Sequence, residues 1–353
     1  MPGLPPDVLL LVASQVDDLQ TLSSLSQTSS LTNSLLKTYE HSIVKTMVDR
    51  RLAAGLVLPP CGSILTQDRE FLPPFSYRVI QELDTRSRRI EALFSPGAPL
   101  LKAIHESQSH VSLPDQELAN LVVGLKRAAM LADRLRDCLA EVVHQSPPLS
   151  QRDVDAYLDD NKRRVKLAQF KVVHADCSPI ELAFLSTLGD IAGMAYSAEH
   201  PFIRLDPSPW PRVTAFKEAV YSHGSVALWA WLQPRDDGAA DADASDSLDK
   251  VDEAGRESSS SVDSEDAKAE LRGVTEKTVS GVMEEIGLWE EGMGAYDDDE
   301  FADEELVLPG VYSRIRTEYS RRTGRPQERV GVEMDVAVLL AIREGVDEEA
   351  ASG

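Results

Sequence analysis

The segment that most constrains the fold is residues 115–144. Leu118, Leu121, Val122, Leu125, Ala129, Ala132, Leu135, Leu139 and Val142 recur there at helical spacing, which lines one face of a long α-helix with apolar side chains. The run opens on Ser112, Pro114, Asp115 and Glu117, which together form a helix-start signal, and it stops at Ser146-Pro147-Pro148. A stripe of that length needs other apolar helices to cover it, so its neighbours decide the fold class.

Those neighbours carry the same period. Residues 75–94 place Tyr77, Ile80, Leu83, Ile90 and Leu93 on one face and end at Ser95-Pro96-Gly97. Further helices are predicted over 98–107, from a Ser150 cap to about 173, from Ser178-Pro179 to about 198, and over 211–232, the last one aromatic with Phe216, Tyr221, Trp229 and Trp231. Few segments alternate with period two, so no sheet is supported. The pattern predicts an all-α chain. Its helical hairpins have unequal lengths and share no repeat period.

The N-terminus has a finer texture. Pro5 and Pro6 precede an apolar run at a position where a helix start tolerates proline. Val8, Leu9, Leu11, Val12 and Val16 form an apolar face, and Asp17 or Asp18 can cap a following helix that carries Leu19, Leu22 and Leu25. Thr28 or Ser29 can cap a third, with Leu31, Leu35 and Leu36. A helix over 37–55 follows, and residues 56–75, punctuated by Pro59-Pro60, Gly62 and Pro73-Pro74, read as a connection. Three short helices in so few residues cannot bury a core by themselves. They must lean on the body or on a partner.

The order of residues in this stretch resembles the F-box. Leu4, Pro5, Asp7 and Leu9 match its opening, Val12, Val16 and Asp17 the end of its first helix, and Leu22, Leu25, Ser26, Thr28 and Ser29 its later run. Asp7 stands where the family usually has Glu, and Ser30, Leu31, Thr32 and Asn33 replace the family's basic and aromatic end. The resemblance implies a non-catalytic substrate-recognition subunit of a cullin-type ubiquitin ligase. Residues 4–36 would bind a Skp-family adaptor, and the helical body would hold an unknown protein target. Leu4, Pro5, Val8, Leu9, Val12, Val16, Leu22 and Leu25 are the expected contact residues, although some of them must pack the unit's interior. The alternatives are a helical scaffold unconnected with ubiquitin and an enzyme hidden in the body.

Charge divides the rest of the chain. The net charge is −23, yet residues 236–305 alone hold 25 acidic against 5 basic residues, which leaves the remainder near neutral. The acidity thus belongs to one segment and argues against nucleic-acid or anionic-membrane binding. Residues 236–270 have Leu248, Val251 and Val262 as their only large aliphatics and are expected to be disordered. The serines among those acids, Ser260, Ser261 and Ser264, read as solvated tail. A helix is expected within 271–289, a basic segment after Pro309, and a last helix over 332–343 with Val336, Leu339, Leu340 and Ile342 as its apolar residues. The basic segment is expected to pair within the chain. The predicted organisation is an F-box-like unit over 1–50, packed on a larger irregular helical body over 51–235, then an acidic linker over 236–270 and a C-terminal helical and charged segment over 271–353.

No constellation of reactive residues emerges. Cys61, Cys138 and Cys177 lie far apart and form no Cys-x-x-Cys. His105 and His110 are five residues apart, which rotates them onto different helix faces and breaks the zinc-protease spacing. Glu141 with His144 lacks a matching pair elsewhere. His174, Asp176 and Cys177 bring three reactive types to a helix end but nothing further supports a Cys/His nucleophilic pair, and Gly292 and Gly294 sit among acids that repel phosphate. No catalytic residue, metal or cofactor is expected. Without a leader-like N-terminus or a membrane span, the expected location is the cytoplasm, the nucleus or both.

Overall fold

The computed structural model describes residues 5–16, 18–53, 64–66, 71–72, 75–107, 113–145, 154–199, 210–232 and 310–344. The expected acidic linker and the helix within 271–289 lie outside them. The described residues form an all-α protein of thirteen α-helices: α1 Pro6–Gln15, α2 Leu19–Ser26, α3 Ser30–Thr38, α4 Glu40–Ala53, α5 Tyr77–Leu93, α6 Pro99–Ser107, α7 Asp115–Gln145, α8 Val154–Ala175, α9 Pro179–Glu199, α10 Trp210–His223, α11 Ser225–Leu232, α12 Val311–Thr323 and α13 Val330–Glu344. Among the described residues the only strands are two residues each, an antiparallel ribbon in which Ile64 pairs with Leu72 and Leu65 with Phe71.

Helix α9 is the centre of the body because nearly all of its surface is apolar. Leu182, Phe184, Leu185, Leu188, Ile191 and Tyr196 are buried, and Ala183, Ala192 and Ala195 let neighbouring helices come close. Helices α6, α7, α10, α12 and α13 all pack on it. Its start is a capping box: Ser178 Oγ accepts from the Glu181 N–H at 3.3 Å, while the Ser178 N–H donates to Glu181 Oε2 at 2.7 Å. Pro179 occupies the first helical position, where its missing N–H costs nothing.

The expected helix over 211–232 is two helices. Gly224 breaks it with φ +65°, and a Cβ there would lie 2.8 Å from the Asp133 Cα. Only glycine meets both demands at low cost. Helix α12 is a further departure, since its residues read in sequence as a basic segment. Its buried residues are Val311, Ile315, Glu318 and Tyr319, a stripe of helical period hidden by the arginines between them. Helices α12 and α13 complete the body core with Val311, Ile315, Tyr319, Val330, Met334, Val338 and Ile342.

The basic side chains of α12 do pair within the chain, and the partners among the described residues are the following. Arg321 and Arg322 hold Glu318 at 2.6 and 2.7 Å. Arg322 also donates to the carbonyls of Val173, His174 and Cys177, covering acceptors left open at the C-terminal end of α8. Arg314 lies over the Phe170 ring at 5.5 Å.

A second, smaller core belongs to the N-terminus. Ala13, Leu22, Leu36, Ile43, Val44, Met47 and Val48 pack with Ile64 and Leu72 of the ribbon and with Val79, Ile80 and Leu83 of α5. Helix α5 thus serves both cores, because its C-terminal half gives Ile90 and Leu93 to the body. The expected unit boundary at residue 50 falls inside α4, and the unit's apolar interior closes on α5.

Candidate partner-docking surface

The geometry of the N-terminal unit follows from its caps. Asp18 Oδ1 accepts from the Thr21 N–H at 2.6 Å and starts α2, and Ser29 Oγ accepts from the Thr32 N–H at 3.1 Å and starts α3. Hydrogen bonding to the Thr21 N–H holds the Asp18 carboxyl below its usual range. Helix α1 ends against Arg50 of α4, whose guanidinium donates to the carbonyls of Ser14, Gln15 and Val16. The unit is joined to α5 by Glu40, which accepts from the Tyr77 N–H at 2.7 Å, and by Arg51 with Asp84 at 2.5 Å.

These constraints fix the rotation of α1. Ala13 is buried, and Leu10 and Val16 pack against the small core. On the opposite side Val8, Leu11 and Val12 face solvent, Leu11 at 63% exposure. At 100° per residue those three fall within an arc of about 100°. Helix α3 packs directly on α1, and its Leu31 is 52% exposed. Tyr39, just past the end of α3, is also exposed. Side chains of this size on one arc of a helix make an apolar surface that a partner can cover.

The expected contact residues separate accordingly. Pro5, Val8 and Val12 are exposed, and Leu9 is partly so. Val16 and Leu25 are half-buried against the small core, and Leu22 is buried within it. Leu4 lies outside the described residues. Two surface leucines, Leu11 and Leu31, were not among the expected contacts. Their signal was angular: Leu11 stands three residues from Val8 and beside Val12, so all three must face away from whatever buries Leu10 and Ala13.

The reactive types singled out in the sequence have structural surroundings. Burial pushes the Cys177 thiol up to about 12, which disfavours the thiolate at neutral pH. His174 Nδ1 lies 3.1 Å from the buried Glu318 carboxylate. His105 Nδ1 lies 2.7 Å from the Leu101 carbonyl, while His110 and the side chains of Glu141 and His144 are outside the described residues. Among the described residues no group of three or more His, Cys, Asp or Glu side chains could hold a metal ion, and no helix is long and apolar enough to cross a membrane.

A buried polar cluster lies where α5, α7 and α11 meet. Arg86 holds Asp137 by two hydrogen bonds of 2.9 and 2.7 Å and Glu82 at 3.1 Å. Arg89 donates to Ser225 Oγ at 3.0 Å, and the Ser225 N–H and hydroxyl both donate to Asp133. Arg136 donates to the Thr66 carbonyl of the ribbon, and burial pushes its guanidinium down to about 10. The cluster therefore clamps the α5 joint to the body and to the ribbon.

Against family models, curated proteins and solved structures the chain was compared in turn. It matches none of them.

Proposed function

We propose that this chain is a non-catalytic recognition subunit that docks a Skp-family adaptor of a cullin-type ubiquitin ligase through its N-terminal unit and presents a target on its helical body. The observation that carries this reading is the solvent-facing arc of Val8, Leu11 and Val12 on α1. It occurs within the same three-helix stretch whose residue order resembles the F-box. Covering such aliphatic side chains contributes roughly 1.5–3 kcal/mol each when burial is complete, so a few anchors supply useful affinity.

The competing reading is a helical scaffold, favoured by Ala13, Leu22 and Leu36, which the chain uses for its own core. A pull-down of the full chain with a Skp-family adaptor separates the two. The native chain should capture the adaptor, and the Leu11→Glu/Val12→Glu variant should lose it while keeping its helicity. No capture by the folded native chain would leave the scaffold reading in its place.

A further inference from the structure

Helices α8 and α12 pack on each other and concentrate positive charge. Residues 163–175 of α8 hold four Lys or Arg and no acid, and α12 holds four Arg and one acid, which leaves a net charge of +7. The acid is Glu318, buried and already shared by Arg321 and Arg322. Like charge packed this densely opposes the compact state unless an anion covers it.

The charge lies on one exposed face. At 100° per residue Arg163, Leu167, Lys171 and His174 fall within an arc of about 80°. All four are exposed, Leu167 at 49%. The arc adjoins α12, because the Arg314 guanidinium lies 5.5 Å over the Phe170 ring and Arg321 Nη2 is 3.5 Å from His174 Nδ1. Among the described residues no carboxylate pairs with Arg163, Lys171 or Arg314. The face is therefore cationic, with Leu167 between Arg163 and Lys171.

The chain itself supplies a matching anion. Residues 297–305 hold seven acids and no base, with Phe301 between four of the acids and the other three. That is the charge–apolar–charge order of Arg163, Leu167 and Lys171 in the opposite sign. Glu305 stands five residues before Gly310, the N-cap of α12. Five residues span at most about 18 Å, and Arg314 is one turn into the helix. A tether that short holds the acids beside the face at an effective concentration on the order of millimolar.

We infer that residues 297–305 bind the cationic face of α8 and α12 in their own chain, with Phe301 on Leu167 and the acids on Arg163, Lys171 and Arg314. Exposed ion pairs are weak one at a time, so the contact depends on several together and on low salt. An acidic segment of another protein fits the same face and must displace residues 297–305 to reach it. The contact is independent of the N-terminal surface.

The test is carbodiimide coupling of the full chain at low salt, which joins the Lys171 amine to a touching carboxylate, followed by mass spectrometry of the monomeric product. Lys171 should be joined to acids of 297–305, and the product should vanish at about 1 M salt, where charges act over only about 3 Å. Arg163→Glu keeps the Lys171 reporter and should lower the yield about threefold, with an unchanged thermal melt. A labelled peptide with the sequence of 297–305 should bind a chain in which every Asp and Glu of 297–305 is changed to Asn and Gln, and should not bind the native chain. Lys171 joined only to carboxylates elsewhere, or to none, would overturn the inference. Equal binding of the peptide by both chains, or by neither, would overturn it as well.

Discussion

Arg86 of α5 grips Asp137 of α7 through two hydrogen bonds of 2.9 and 2.7 Å, with both side chains buried. This is the bidentate geometry that a guanidinium makes with a carboxylate. Asp137 raises the Arg86 pKa against a strong opposing effect of burial. Because α5 also supplies Val79, Ile80 and Leu83 to the small core, this pair, with Arg89 on Ser225, helps hold the N-terminal unit on the body.

Removing Asp137 strips the buried Arg86 of its bidentate partner and leaves Glu82 at 3.1 Å to hold the charge, a loss that costs up to about 3–5 kcal/mol. Asp137→Ala should therefore lower the midpoint of denaturant unfolding sharply. Paired replacement by apolar residues of similar volume should cost much less. A single substitution without effect on the midpoint would show that water reaches this site.

The carboxyl of Glu318 is held down to about 2 from its ordinary 4.5, chiefly by hydrogen bonds from Arg321 and then Arg322, against burial. A depressed folded-state pKa stabilises above the unfolded value and is lost as pH falls through the folded one. The contribution of Glu318 should be complete above about pH 5 and lost progressively as pH falls through about 2. Glu318→Gln should flatten the stability profile in that window, which acid titration of the thermal midpoint will show.

Glu218 of α10 accepts from the Val311 N–H at 2.8 Å and the Tyr312 N–H at 3.0 Å, so it caps α12 from a different helix. Losing a helix cap costs about 0.5–2 kcal/mol. Glu218→Ala should speed amide exchange in the first turn of α12 more than in α9. Uniform acceleration across both helices would instead mean that Glu218 supports the whole body.

The N-terminal leucines should divide by role. Leu22→Ala should destabilise the chain by about 2–5 kcal/mol through the cavity it leaves. Leu11→Glu should leave the unfolding midpoint within about 0.5 kcal/mol, as is usual at exposed positions, yet abolish adaptor capture. If both variants lowered the midpoint alike, Leu11 would belong to the core.

The alkylation rate of Cys177 gives a further check. A thiol pushed up to about 12 by burial should react with iodoacetamide only after unfolding. Fast labelling of the folded chain would contradict the burial of Cys177 between the end of α8 and the start of α9.

Much of the architecture was legible before any coordinates, because local chemistry governs helix ends. Asp18, Ser29 and Ser178-Pro179 mark the starts of α2, α3 and α9, each through a side chain reaching its own backbone. The apolar run of 115–144 emerged as α7. A period identifies a helix, however, and does not say which side of it is wanted. Of the apolar residues read for the last helix, Ile342 is buried while Val336, Leu339 and Leu340 are exposed on α13, and Val330, Met334 and Val338 point inward. Leu11 and Leu10 are adjacent and equally apolar, yet Leu11 faces solvent and Leu10 packs inward. Helix α12 was hidden because its buried face holds one ion-paired acid among three apolar residues, and only Glu218, from another part of the chain, shows where it begins. The sequence by itself determined that this protein is built of helices and where most of them start. Only the tertiary structure decided which faces are core and which are surface, because that choice depends on packing against helices far away in the chain, and no local interaction encodes it.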